Sequence, residues 1–142
     1  MAFKDLHSLI RLRKWDVDEK QRALGQLLRR EETILDNLAA LEAEKRREAE
    51  FVGKADPVKG LTFAAYLQRC DQRKDVMNSL LAELQRSIEE ARDELGESYR
   101  RLKTFEVTQE KRDLEEAKEE DRREQIELDE IGLTLHRRKA LV

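Results

Sequence analysis

The sequence predicts an all-α protein, a long antiparallel two-helix coiled-coil hairpin with a C-terminal helical extension. Three observations lead there. Two heptad-spaced apolar stripes flank one stretch rich in helix breakers, from Gly53 to Gly60 around the single proline, Pro57. The composition is 43% charged and 5% aromatic, which suits solvated helices and leaves too few apolar residues for one compact globule. A single antiparallel register then matches apolar residues along both stripes.

The first stripe reads Phe3, Leu6, Ile10, Val17, Leu24, Leu27, Ile34, Leu38, Leu41 and Val52, with Arg13, Lys20, Glu31, Lys45 and Glu48 at intervening seam positions. Steps of three and four sustained this far define a coiled-coil helix over about residues 3–52, about 75 Å long. The stretch 53–61 is the expected turn. Thr62 is a good N-cap residue for a second helix over about 62–139. Its stripe reads Phe63, Leu67, Cys70, Met77, Leu81, Leu84, Ile88, Ala91, Leu95, Leu102 and Phe105.

Folding the chain so that Val52 meets Phe63 makes the residue numbers in each layer add to about 115. That choice brings Leu38 to Met77, Leu24 to Ala91, Ile10 to Phe105, Ile34 to Leu81 and Leu27 to Ile88. It also sets Arg13 opposite Leu102, Lys20 opposite Leu95 and Glu31 opposite Leu84, where long stems cover apolar surface while charged heads reach water. Residues beyond about 112 then have no partner on the first helix. The stripe fails at the same point, where Gln109, Arg112, Glu116, Glu119 and Arg123 take seam positions. The chain 1–142 therefore reads as one hairpin domain whose last residues project as a lone helix or wait, disordered, for a host.

The same residues exclude several chemistries. The chain has two histidines and one cysteine, so no zinc ligand cluster and no internal disulfide are expected. Carboxylate pairs such as Glu89-Glu90 and Glu115-Glu116 occupy adjacent helix positions that point to different sides. The glycines at positions 25, 53, 60, 96 and 132 never form a phosphate-binding loop. No enzyme activity, cofactor, metal or small-molecule substrate is expected. Net charge of −3 from 29 bases and 32 acids, interspersed, argues against nucleic-acid binding. The start, Met-Ala-Phe-Lys-Asp, opens no secretory signal, and no run approaches the roughly 18 apolar residues of a membrane span, so a cytoplasmic protein is expected.

Partner surfaces remain. Leu12 and Trp15 fall on one outward face beside Arg11, Lys14 and Lys4, a reasonable anchor for another protein. Near the turn, Leu41, Tyr66 and Cys70 are candidates for a second contact. On the extension, Leu128, Ile131 and Leu135 share one helical face, with Ile126 and Leu133 nearby. Eleven acids against five bases from Glu110 to Glu130 precede them, and the bases of His136–Lys139 reverse the sign.

Trp15 to Arg30, with Leu9-Ile-Arg-Leu12, Val17-Asp-Glu19 and Arg22-Ala-Leu24 within or just before it, resembles the opening of the FliJ family of the bacterial flagellar type III export apparatus. Length, the mid-chain turn and the longer second helix extend that resemblance over essentially the whole chain. It implies a non-enzymatic stalk similar to the central part of a rotary ATPase's gamma subunit. Implied partners are the hexameric export ATPase at the end carrying both termini, the membrane export gate towards the hairpin end, and export chaperones. Implied too is a place in the cytoplasm, peripheral to the inner membrane. The first helix departs from the family near the hairpin end, where Glu42, Glu44, Glu48 and Glu50 stand in place of aromatics. The alternatives are the injectisome counterpart, a generic coiled-coil scaffold or tether, and a nucleic-acid or membrane-surface binder using Lys4, Arg11, Arg13 and Lys14.

Overall fold

A computed structural model describes residues 5–52 and 57–141. It contains two helices, α1 (His7–Val52) and α2 (Pro57–Ala140), packed against each other as a hairpin. Phe3 of the first stripe, Lys4 and positions 53–56 of the expected turn lie outside the described residues. By packing, the chain divides into two compact units, Asp16–Ser98 and Met1–Trp15 with Tyr99–Val142.

The expected element boundaries need two corrections. α2 begins at Pro57 and not at Thr62, so 57–61 is helix and not turn. Proline is favoured at the first helical position, because its missing N–H would have no intrahelical partner there. Gly60 is tolerated within the first turn at about 1 kcal/mol relative to alanine. Thr62 does not cap: its hydroxyl donates to the Val58 carbonyl at 3.0 Å, a bond made inside the helix. α1 begins at His7 and not near residue 3. The Asp5 carboxylate accepts the His7 N–H at 2.9 Å, and the Gln109 side-chain oxygen accepts the Leu6 N–H at 2.9 Å. Two of the N–H groups that a helix start leaves unpaired are thereby satisfied.

In the Asp16–Ser98 unit, Val17, Leu41, Cys70 and Ile88 are buried. Leu24, Leu27, Ile34, Leu38, Met77, Leu81, Leu84 and Leu95 are half-buried, as expected where two helices meet with no third layer over them. Cross-helix polar pairs tie the same seam. Ser98 Oγ donates to Asp16 Oδ2 at 2.7 Å, Lys20 Nζ meets Glu94 at 3.2 Å, Lys45 meets Asp71 at 3.6 Å, and Lys74 meets Glu42 at 3.4 Å. The residue numbers in these pairs add to 114–116, the register expected from the stripes. In the other unit, Ile10 and Leu102 are buried, and Leu6 with Gln109 again adds to 115.

The polar layers behave more specifically than simple stem burial. Lys20 reaches past its apolar layer to an ion pair. Arg13 swings over the Phe105 ring, with its guanidinium carbon 5.6 Å from the centroid and Nε shut from solvent without a hydrogen-bond partner. Gln109 marks no failure of the seam: it is 9% exposed and closes it, accepting from Leu6 and donating to Asp113 at 2.8 Å.

From residue 113 to 141 every side chain is exposed except that of Glu119, which is half-buried, yet the backbone stays helical to Ala140. Local pairs hold it. Arg122 and Arg123 both reach Glu119, at 3.0 and 3.7 Å, and Gln125 donates to Asp129 at 3.1 Å. Such pairs contribute about 0.2–0.5 kcal/mol each. Arg137, Arg138 and Lys139 in the last turn complement the helix dipole. Of the two states expected for this segment, the lone helix is the one observed.

Ile88, 2% exposed, reports on the seam. Ile88→Asp leaves a charge in the contact without a partner and lowers stability by about 3–5 kcal/mol, seen as lost helicity and an early melting transition by circular dichroism. Leu128→Asp, on the exposed extension, leaves the melt within about 0.5 kcal/mol. Equal effects from the two variants contradict this core.

Candidate partner-binding surfaces

Around the start of α1, Leu12 and Trp15 are 57% and 60% exposed. Arg11 and Lys14 are exposed beside them, and Arg11 lies 3.5 Å from the Ser8 hydroxyl. The helical period puts Leu12 and Trp15 on one face, three residues apart and away from the seam positions Ile10 and Val17. An exposed indole with neighbouring bases offers a large apolar area and a positive rim.

Along the extension, Leu128, Ile131 and Leu135 are 62%, 57% and 55% exposed. At 100° per residue they fall within about 60° of one another on the helix. Ile131 and Leu135 line a shallow groove with Glu127, Glu130, Thr134 and Arg138. Ile126 and Leu133 project from nearly the opposite side, so the segment carries two apolar stripes with charged residues between them. No described residue packs over either stripe.

Near the hairpin end the expected trio does not hold together as a surface. Leu41 and Cys70 are 2% and 1% exposed. Both occupy seam positions, the d positions of their heptads, and the facing helix covers them, so neither can meet a partner. Tyr66, one position before the a-layer Leu67, is half-buried and stacks near Phe63 with centroids 6.1 Å apart. Its hydroxyl is closed off from solvent and completes no hydrogen bond, with the Cys70 thiol and the Glu44 carboxylate as neighbours. Burial first, and then those two neighbours, push its ionisation well above the ordinary tyrosine range. One helix turn inward, Lys45 first and then Lys74 hold the Glu42 carboxyl below its usual range.

Sequence reasoning missed Ser98, 3% exposed. It falls on the d spacing but is polar, and the signal was its match to Asp16 across the register. Among the described residues there is no cluster of three metal-ligating side chains, and no helix is long and apolar enough to cross a membrane.

The exposed extension contributes little to the fold. Removing residues 113–142 shifts the melting temperature by less than about 4 °C. A loss of 10 °C or more on that same scale in a thermal melt would show that the segment packs back on the hairpin.

Comparison with known proteins finds relatives over nearly the whole chain. A family model described as Flagellar FliJ protein matches residues 3–141. The Flagellar FliJ proteins of two strains of Caulobacter vibrioides are each 27% identical to it over 126 residues, covering 89% of this chain and 90% of theirs. No solved structure matches the chain.

Proposed function

The chain belongs to the FliJ family, and we propose that it is a stalk of the flagellar type III protein export apparatus. Members of this family are non-enzymatic components of that apparatus. In this reading the end carrying both termini engages the hexameric export ATPase, and the hairpin end faces the membrane export gate and meets export chaperones. The protein works beside the inner membrane on its cytoplasmic face.

One observation carries the reading: α2 continues as helix for 31 residues past Gln109 with two exposed apolar stripes. A helix exposed all round, yet apolar on opposite sides, fits a host that surrounds it, as a ring of subunits does. Leu12 and Trp15 belong to the same packing unit as this segment and extend the contact. The stalk holds the ring through these side chains and changes its assembly or turnover by binding, with no chemistry of its own. Leu41 and Cys70 are buried in the seam, so this reading keeps Tyr66 as its candidate for the gate contact.

Pull-down and sedimentation with the export ATPase test this reading. The intact chain binds, and Leu128→Asp with Ile131→Asp and Leu135→Asp weakens binding by on the order of a hundredfold or more while leaving the circular dichroism unchanged. Absence of binding by the intact chain at both low and physiological salt contradicts the stalk and favours a scaffold without an ATPase partner.

A further inference from the structure

The most exposed large apolar side chains among the described residues, Leu141 aside, are Leu61 at 77%, Phe51 at 76% and Val58 at 70%. All three lie where α1 ends and α2 begins. Two grooves open on one flank of the same region. One, of about 300 Å³, is lined by Phe51, Val58, Phe63 and Tyr66, and the other, of about 800 Å³, by Arg47, Arg69, Arg73 and Val76; Arg69 lines both. Glu48 and Glu44 are the carboxylates in these linings. Arg47, Arg69 and Arg73 are exposed and make no ion pair among the described residues. Arg22, Arg92 and Arg122, by contrast, are each paired with a glutamate three residues away.

Charge along the sequence is sorted in the same way. Between Lys45 and Lys74 stand eight bases and four acids, a net of +4, although the whole chain carries −3 and the remainder therefore −7. The apolar hairpin end thus lies in a net-basic stretch, as do residues 1–30, where eight bases stand against four acids.

We propose that the hairpin end docks on an anionic lipid bilayer, with Phe51, Val58 and Leu61 entering the interface and Arg47, Arg69 and Arg73 meeting lipid phosphates. Stable peripheral binding takes two signals, and a few apolar side chains beside a basic patch supply both. The bases draw the end to a negative surface within a Debye length, and the apolar side chains hold it there. A bilayer fits better than an acidic protein segment. Leu61, the most exposed of the three, lines neither groove, and a segment lying in the grooves would leave it uncovered. No helix of the described residues can span the membrane, so the contact is a surface one.

The inference stands apart from the stalk reading, because it is tested with the full chain and vesicles alone. Co-flotation is measured with phosphatidylcholine vesicles with and without phosphatidylglycerol, at low and physiological salt. The chain floats with the anionic vesicles, less so as salt rises, and stays behind with the neutral ones. Arg47→Glu with Arg69→Glu and Arg73→Glu weakens this by on the order of a hundredfold. Phe51→Ser with Leu61→Ser weakens it by on the order of tenfold. These positions are exposed, so circular dichroism stays unchanged and separates lost binding from lost folding. No flotation of the intact chain overturns the proposal, as does flotation that survives the arginine reversals. Flotation indifferent to Phe51 and Leu61 overturns it too, leaving only diffuse charge attraction. Capture of an acidic protein segment by a chain that ignores vesicles assigns the surface to protein.

Discussion

Two helices of unequal length share one antiparallel seam, and every other property of the molecule follows from that constraint. In each packing unit, residues pair so that their numbers add to about 115. α1 starts at His7, so the seam closes at Gln109, while α2 runs on to Ala140. The helix beyond that point has no partner for a reason of arithmetic, whatever its composition. Its acidic run and its two apolar stripes then decide what kind of host could take it. With only two helices the seam also cannot enclose its side chains, and most of its leucines stay half-buried. Stability rests on continuity of register along many thin layers.

Polar residues in the seam serve that register. An aliphatic layer can slip by a heptad with modest loss, because leucine meets leucine again seven residues on. Ser98 on Asp16 and Gln109 on the Leu6 N–H have no equivalent partner after such a slip. A mispaired chain would leave these buried groups unsatisfied, a cost of about 1–3 kcal/mol each. Lys20 with Glu94, and Lys45 and Lys74 with Asp71 and Glu42, add weaker preferences of the same sign at the exposed margin.

Most of the fold was legible in the sequence, since heptad spacing reports directly on which helix face is covered. The register followed from requiring apolar residues of both stripes to meet. Boundaries were less legible because local signals competed: Thr62 and Gly60 looked like the edge of a turn, but Pro57 already satisfies the first helical position. Among the candidate contact residues, exposure was legible where spacing takes them off the seam. Leu12, Trp15, Leu128, Ile131 and Leu135 fall off the seam and stand in solvent. It was misread where nearness to the turn outweighed heptad position, as with Leu41 and Cys70. Both belong to the seam by spacing, and spacing prevailed.

The central claim is that α2 outruns its partner and that its far segment is held only by its own local bonds. Hydrogen exchange on the free chain tests it directly. Amides of Val17, Leu41, Cys70 and Ile88 exchange slowly, through cooperative opening of the seam, while those from 113 to 140 exchange faster by on the order of a hundredfold or more, through local fraying. Uniform protection along the whole of α2 would contradict the account, because it would require a partner over the segment that the register leaves without one.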